Sequence, residues 1–327
     1  DGNISVASTV EAIGGSGSPQ GTAIVVVKST GTGGNITSSA NINADGAEGS
    51  VGGFTGSIVL SATNGFIRDG TPGTGGGTLK VLNNSNPGAI KLTAKNGIGE
   101  IGNPVRIFNE QPDVFALNGT FPSMGTGDIV LAVVNGNLTI NDLLDIRNFN
   151  PTGTYDFAAL GGNLILNTAF MPDSSPLAPT QSVTLRAPAG NVILTGGTTG
   201  SIAAGATGSV TLEASNLLDL QAGTSVSGGN VLLKADNMNI FGTVTTTPGF
   251  TTILPFTPTR PIKLGPTLQS TSELMLSNAE FNNIIAGTLK VGDVNSGNMT
   301  VSAAITPSGS NALSLETGGD LNIDANL

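Results

Sequence analysis

Apolar residues recur at every second position along this chain, in short runs that end at small polar corners. Residues 56–67 read GSIVLSATNGFI, where the alternation ends at Asn64 and Gly65 and another apolar run follows at once. Residues 287–305, GTLKVGDVNSGNMTVSAAI, have the same form, with two alternating runs joined by a polar turn. A period of two predicts β-strands that bury one face, so we expect an all-β protein.

Successive runs resemble one another and are therefore interpreted as repeats of a single unit. Further copies occur at residues 88–101, 127–140, 181–194, 208–220, 228–241 and 311–323. Like units that follow one another in the same chain direction suit parallel stacking, which predicts a parallel β-helix (β-solenoid) with about 20 to 25 residues per coil. The coil is expected to be right-handed, by the chirality that governs parallel crossover connections. Its inward rows should be aliphatic, with Phe66, Phe241 and Phe281 as candidate aromatic members.

The polar corners leave one alternative open. Asn-Gly pairs, as at residues 64–65, 96–97 and 135–136, tolerate the left-handed backbone of a corner, but they also close two-residue hairpins. Hairpins would produce an antiparallel sandwich instead of a β-helix. The similarity of successive units in one chain direction favours the corner.

Three proline-containing stretches interrupt the repeat, at residues 106–124, 141–180 and 243–262. Proline cannot donate a hydrogen bond to a β-ladder, so these stretches are predicted to leave the β-helix as loops or short hairpins. Residues 1–327 are otherwise expected to form a single β-helix segment of a longer repetitive chain. Neither end shows the amphipathic helix that commonly caps the open strand edges of such a fold.

The composition excludes several classes of protein. Disorder is disfavoured, because 38% of the residues are hydrophobic and the mean hydropathy is positive despite 48 glycines. The 12 basic and 22 acidic residues give a net charge of −10, so nucleic acid is not an expected partner. No apolar run reaches the length of about 18 residues needed to span a membrane. The chain has no cysteine and no histidine, which removes disulfides, thiolate nucleophiles and the commonest general base and metal ligand.

Carboxylates near the corners are the remaining candidates for catalysis. Asp219, Asp236 and Asp293, with Lys234 and Lys290 close in sequence, are residue types that a polysaccharide-cleaving β-helix requires. Such a site also needs aromatic platforms for sugar rings, and this chain has no tryptophan and one tyrosine. We therefore interpret these residues as solvated corner residues and predict no catalytic residue and no enzymatic activity.

Calcium is the metal that an acidic, glycine-rich chain could bind. The candidate ligands are the acidic residues that lie among glycine and asparagine, namely Asp45, Glu48, Asp69, Glu100, Asp320 and Asp324. The glycine-rich nonapeptide GGxGxDxUx, which binds calcium in other β-rolls, is absent from the sequence. We therefore predict no metal site and no cofactor.

The C-terminal third carries a family resemblance. The runs RPIKLG at residues 260–265 and ELMLSNAEFNNIIAGTLKVGDVNSGNMTV at 273–301 resemble repeats of large bacterial surface proteins of the filamentous haemagglutinin type, which are exported by two-partner secretion. IKLTAKNGIGEIGNPVRI at 90–107 and LSLETGGDLNI at 313–323 are similar to the same style of repeat. The resemblance implies an extended right-handed β-helix outside the cell that serves adhesion, fibre formation or a biofilm matrix.

The sequence thus predicts an extracellular or cell-surface structural protein, a stalk, fibre or matrix filament segment that mediates adhesion or cohesion. The expected partners are further copies of itself, stacked head to tail, neighbouring repeats of the same chain, and surface glycans. The alternative is a polysaccharide-binding or polysaccharide-cleaving β-helix of the lyase type.

Overall fold

The protein is all-β, with long parallel sheets that are compatible with a β-helix. A computed structural model describes residues 2–13, 23–45, 56–70, 76–82, 89–108, 113–119, 125–140, 146–169, 180–196, 200–266 and 270–327. The chain divides into two compact units. Unit 1 comprises Asp1–Asn137 with Leu144–Phe157, and unit 2 comprises Leu138–Leu143 with Ala158–Leu327.

The strands are short and follow one another closely along the chain. The first fifteen are β1 (Ile4–Val6), β2 (Val10–Ile13), β3 (Ile24–Ser29), β4 (Ile36–Ser38), β5 (Ile42–Asp45), β6 (Ser57–Ala62), β7 (Ile67–Asp69), β8 (Thr78–Leu82), β9 (Ala89–Ala94), β10 (Val105–Ile107), β11 (Asp113–Asn118), β12 (Ile129–Val133), β13 (Leu138–Ile140), β14 (Ile146–Asn148) and β15 (Thr154–Ala159).

The second half of the chain contains sixteen further strands and a short helix, α1 (Asn278–Asn282). These strands are β16 (Leu164–Leu166), β17 (Ser182–Ala187), β18 (Val192–Leu194), β19 (Ser201–Ala203), β20 (Ser209–Ala214), β21 (Leu217–Leu220), β22 (Ser225–Ser227), β23 (Asn230–Lys234), β24 (Asn237–Ile240), β25 (Thr243–Leu254), β26 (Ile262–Gly265), β27 (Leu274–Ser277), β28 (Ile284–Val291), β29 (Met299–Val301), β30 (Leu313–Leu315) and β31 (Leu321–Ile323). No helix in the described part of the chain has the length and apolar character needed to cross a membrane.

Unit 1 contains three parallel sheets, with the orders β1-β4-β7, β2-β5-β8-β10-β12 and β3-β6-β9-β11-β14. In the first sheet Ile4 lies opposite Ile36, and Ile36 lies opposite Ile67. Isolated bridges continue this row through Ile98 to Ile129. The chain therefore returns to the same row after about 30 residues, which is longer than the coil expected from the sequence.

Aliphatic rows fill the space behind these sheets. Ile58 and Leu60 on β6 lie opposite Ile90 and Leu92 on β9, and all four side chains are almost fully buried. Burial of each such side chain contributes about 1.5–3 kcal/mol, and the alternate residues of the same strands face outward. The period-two pattern of the sequence is thereby confirmed as strands with one buried face.

Two of the three phenylalanines expected in the inward rows face outward instead. Phe241 is 60% exposed and Phe66 is half-buried. The cause is their register, because Phe66 precedes the buried Ile67 and Phe241 follows the buried Ile240, and neighbouring strand positions point to opposite faces. Phe281 is buried, but it belongs to α1 and not to a strand.

The Asn-Gly pairs form corners. Every strand pair seen among the described residues is parallel, so the antiparallel sandwich is wrong. Gly97 and Gly136 have φ values of 114° and 90°, the left-handed region that glycine adopts without strain. Asn118, which is fully buried at such a corner, accepts a hydrogen bond from Gly97 N (2.9 Å) and donates one to Asn148 Oδ1 (2.8 Å).

Unit 2 contains the parallel sheets β13-β16-β18-β21-β24, β17-β20-β23-β25-β28-β30 and β27-β26-β29-β31, and the pair β19-β22 also joins β25. Val210 lies opposite Val231, and Val231 lies opposite Thr251. These partners are about 20 residues apart, which agrees with the coil length expected from the sequence. Other rows of unit 2 take a longer stretch of chain, as between Leu164 and Val192, so the chain length per row varies within the unit.

The structure differs from expectation over residues 243–254. This stretch was predicted to leave the sheets as part of the insertion at 243–262, but β25 pairs in parallel with β22 and β23 on one side and with β28 on the other. The prolines are accommodated because Pro248 lies in the register shift between Thr246 and Phe250, where the ladder needs no donor. Pro255 follows the last residue of the strand.

The other two predicted insertions also contain strands. Residues 106–124 include the end of β10 and all of β11, and residues 141–180 include β14, β15 and β16. The segments of these stretches at 109–112, 120–124, 141–145 and 170–179 lie outside the described residues.

One strand of unit 2 lies out of chain order. β26 has β27 on one side and β29 on the other, and β27 in turn contacts β24. The order in space is therefore β24, β27, β26, β29, although β26 precedes β27 in the chain. α1 follows β27 and places the buried Glu280 beside the end of β24, where its carboxylate accepts hydrogen bonds from Ile240 N (3.2 Å) and Ser277 N (2.8 Å).

Candidate functional site

Asp219, the first of the three acids considered for catalysis, lies on the outward face of β21. Its Oδ1 accepts a hydrogen bond from Asn239 Nδ2 (3.3 Å) on the neighbouring β24, and its Oδ2 accepts one from Gln221 Nε2 (3.2 Å). Gln221 Oε1 in turn accepts from Gly196 N (2.8 Å). Asp219 thus connects neighbouring strands of one sheet.

Asp236 lies at the corner after β23 and ties this corner to the segment after β25. Its carboxylate accepts hydrogen bonds from Thr257 N (2.8 Å) and Thr257 Oγ1 (2.6 Å). Arg260 Nε lies 3.8 Å from Asp236 Oδ1 and donates to the Asp236 carbonyl oxygen (3.0 Å). The same guanidinium also donates to the carbonyl oxygen of Thr271 (2.9 Å), so the acid belongs to a structural network.

Asp293 closes the polar turn between β28 and β29. Its Oδ1 accepts hydrogen bonds from Asn295 N (2.9 Å) and Ser296 Oγ (3.0 Å). Burial acts to raise the pKa of Asp293, but the hydrogen bonds from Ser296 and Asn295 outweigh it and hold the pKa below its ordinary value. The carboxylate is thus kept ionised as an acceptor for the turn.

The two lysines named with these acids have other partners. Lys234 Nζ lies 3.3 Å from Glu213 Oε1 and 5.2 Å from the ring centroid of Phe256. Lys290 Nζ lies 4.2 Å from the ring centroid of Phe250. No two of the three acids share a hydrogen-bond partner within the described part of the chain, and the three do not form a cluster that could hold a metal ion.

Two of the calcium candidates face arginines. Glu100 Oε2 lies 3.1 Å from Arg68 Nη1, and Asp69 Oδ2 lies 3.8 Å from Arg106 Nε. Among the residues that the structure describes, no three acidic side chains group closely enough to hold a metal ion. The side chain of Asp45 and the whole of Glu48 lie outside the described residues.

The most distinctive surface of unit 1 is the outward side of the sheet β3-β6-β9-β11-β14, which we call the basic face. Parallel register aligns its outward residues in rows that run across the strands. One row contains Lys28, Ser61, Thr93, Leu117 and Arg147. The adjacent row contains Val26, Val59, Lys91 and Phe115. Register alone therefore gathers residues that lie far apart in the sequence.

The basic face combines cations with exposed apolar side chains. Ile24 and Val26 are 56% and 57% exposed, on either side of the buried Val25 in the same strand. Lys91 Nζ lies 5.0 Å from the ring centroid of Phe115, its neighbour in the row. An ammonium over a ring in this way fixes the lysine stem against the sheet while the charge stays accessible.

The charge of the basic face is opposite to that of the chain. Its five strands carry Lys28, Lys91 and Arg147 against the single acid Asp113, whereas the chain has 12 basic and 22 acidic residues. Lys95 adds a further exposed cation directly after β9. No carboxylate of the described residues forms an ion pair with Lys28, Lys91 or Lys95. Lysines without acidic partners on one flat sheet create a local positive potential.

The sequence did not predict this face. The alternation in IKLTAK does place Lys91 and Lys95 on the outward side of one strand. Which strand lies beside it depends on the chain length between rows, and no residue pattern specifies that length. The sequence thus indicates which residues of each strand face outward, but it does not indicate which outward residues of different strands become neighbours.

Comparisons with protein-family models, with curated proteins and with solved structures find no match to this chain.

The lowered pKa of Asp293 predicts a pH-dependent contribution to stability. Because the folded-state pKa is depressed, the contribution is present above the unfolded-state pKa and is lost as the pH falls through the folded-state value. In Asp293→Asn this contribution is absent, so we expect the stability difference from the parent chain to shrink from about pH 7 to about pH 2. Denaturant midpoints at a series of pH values measure it.

Asp324→Asn is the matched control for that measurement, since it removes an exposed acid of the same region. A stability difference for Asp293→Asn that stayed constant over the whole pH range would contradict the role assigned to this carboxylate.

Proposed function

We propose that this chain is a structural and adhesive segment of an extracellular β-helical fibre or matrix protein, and that the basic face is its contact surface. The observation that supports this most strongly is the register that puts Lys28, Lys91 and Arg147 on one sheet beside the exposed Ile24 and Val26. A flat, solvent-facing sheet with accessible lysines suits contact with an extended polymer.

We propose that the parallel sheets are the faces of a right-handed β-helix. The return of the chain to the same row at every turn supports this arrangement, and the chirality of parallel crossover connections favours the right hand. Parallel stacking gives such a segment the stiffness that a stalk or fibre needs.

The ligand class that the basic face suits is an acidic polysaccharide of a cell surface or matrix. Lys28 and Arg147 lie in one row four strands apart, a distance of about 19 Å at the usual strand spacing. Carboxylates spaced along a polymer can contact Lys28, Lys91 and Arg147 of the basic face at once, and several weak contacts add to a useful avidity. The exposed apolar residues can pack against the carbon faces of sugar rings.

Reversal of two charges on this face should weaken the binding of an acidic polysaccharide. We expect Lys28→Glu with Lys91→Glu to bind immobilised polygalacturonate at least roughly thirtyfold more weakly, because each lysine near an anionic surface contributes about 1 kcal/mol and two are removed. The parent chain should bind less tightly as salt is raised and should not bind neutral dextran. Surface plasmon resonance measures all three quantities.

The matched control is Lys263→Glu with Lys290→Glu, which makes the same charge change in unit 2. Equal weakening by both pairs would point to net charge and against the basic face, and absence of binding to polygalacturonate would overturn the ligand class. Appearance of new reducing ends or of unsaturated sugar products in the mixture would favour the alternative, a polysaccharide-cleaving β-helix.

The edge of one sheet in unit 2 supports self-association. Met299 and Val301 on β29 are fully buried between β26 and β31. Leu321 and Ile323 continue the same two rows on β31, yet they are 42% and 53% exposed. We propose that a further strand covers this edge, either from a second copy stacked head to tail or from a neighbouring repeat of the same chain, since it would extend both the apolar rows and the backbone ladder.

Charges placed in these two rows should prevent the association. We expect the parent chain to form concentration-dependent oligomers and Leu321→Asp with Ile323→Asp to remain monomeric by sedimentation velocity, because an acid cannot be buried unpaired in the ladder. Val294→Asp, at an exposed corner, is the control and should associate like the parent. A parent chain that stays monomeric at high concentration would refute stacking through this edge.

The extracellular location is part of the same proposal and has its own test. Protease added to intact cells that produce the protein should release its peptides before those of a cytoplasmic marker. Complete protection until the cells are lysed would exclude a surface location.

A further inference from the structure

Asn-Gly pairs are the sequences in which an asparagine side chain is most easily attacked by the next backbone nitrogen, because glycine has no side chain to obstruct the approach. The chain contains four such pairs, at residues 64–65, 96–97, 118–119 and 135–136, and the structure describes all of them. They differ in how their side-chain amides and the following N–H groups are held.

Bonds to neighbouring segments of the chain hold the first pair. Asn64 Nδ2 lies 3.3 Å from the carbonyl oxygen of Gly31 and 3.4 Å from that of Thr30. Gly65 N donates to the carbonyl oxygen of Ala62 (3.3 Å). Both the group that would be attacked and the attacking nitrogen are therefore engaged.

The second and third pairs are held more tightly. Asn96 Nδ2 donates to the carbonyl oxygen of Asn64 (3.1 Å), and Gly97 N donates to Asn118 Oδ1 (2.9 Å). Asn118 is fully buried, and Gly119 N donates to the carbonyl oxygen of Ala94 (2.8 Å). Reaction at either pair requires these bonds to break first.

The fourth pair lies in a different environment. Asn135 and Gly136 are both exposed in the corner that follows β12. Within the described residues, no hydrogen bond is made by the Asn135 side chain or by the Gly136 N–H. Apart from its chain neighbours, no atom of the described residues lies within 4 Å of the position that a Cβ would take on Gly136. Its φ of 90° is left-handed, as are those of Gly97 and Gly119, so hydrogen bonding and exposure are what set this pair apart.

We propose that Asn135-Gly136 is a site of spontaneous deamidation in the folded protein and that the other three pairs are protected. The backbone nitrogen of Gly136 gives up its proton and bonds to Cγ of Asn135, and the side-chain nitrogen leaves as ammonia with that proton. Water then opens the resulting succinimide at one of its two carbonyls, which yields aspartate or isoaspartate. The net change is the replacement of an amide by a carboxylate, with consumption of one water.

The product alters this corner in two ways. Each event adds one negative charge to a chain that already carries −10. The isoaspartate form also adds a methylene to the backbone between β12 and the next strand. Deamidation thus changes the oldest molecules at a single defined corner.

Peptide mapping by mass spectrometry tests this directly. The purified chain is incubated at mildly alkaline pH, where more of the backbone nitrogen is deprotonated, and the four Asn-Gly peptides are followed with time. We expect the peptide that contains Asn135 to be converted first and the other three to react at least about tenfold more slowly, because their hydrogen bonds must open before reaction.

Two controls distinguish the effect of the folded environment on the deamidation rate from the effect of the local sequence. In urea, where the corners are lost, the four pairs should react at similar rates. Gly136→Ala should slow the reaction at Asn135 alone, and Asn135→Ser should remove it if the alanine disturbs the corner. Equal rates at all four pairs in the folded chain, or an intact Asn135 in the folded chain beside a reactive one in urea, would overturn the proposal.

Discussion

In-register parallel pairing of the backbone is the constraint on which the rest of the protein depends. Ile58 can cover Ile90 only because their strands align residue for residue, and a slip of one position would turn the apolar row outward and the polar row inward. The same alignment creates the rows of the basic face, since Lys28 and Arg147 share a row only through the strands between them. The same strand register therefore determines both the packing of the core and the arrangement of residues on the surface.

The positions and partners of the few charged residues follow from this arrangement. Charged residues make up 10% of the chain, and several acids link segments that are remote in sequence, as Asp236 does with Thr257 and Glu280 does with Ile240. An acid that accepts backbone N–H groups at a corner replaces partners that the turning chain has lost. Lysines that have no such acid beside them are then left on one sheet, which explains how an acidic protein carries a positive face.

The sequence allowed the strands, their buried residues and the corners to be predicted, because alternation and Asn-Gly pairs are local signals. It did not allow the neighbours of each strand to be predicted, since the row through Ile36 recurs after about 30 residues and the row through Val210 after about 20. The basic face was missed for that reason.

β25 was predicted wrongly because Pro248 suggested a loop, whereas a register shift in the ladder accommodates this proline. Phe66 and Phe241 were misplaced by a single position, which in a strand is the difference between inside and outside.

The position of β27 between β24 and β26 has a consequence for how the polypeptide acquires its structure. A chain that folded progressively from its N-terminal end would lay down β26 before β27 existed, and the space beside β24 would stay empty until the later segment arrived. Until then the N–H of Ile240 would lack the carboxylate of Glu280. Unit 2 therefore cannot assemble by simple sequential zipping, and closure around β27 and α1 is a non-local event with the slower kinetics that such contacts impose.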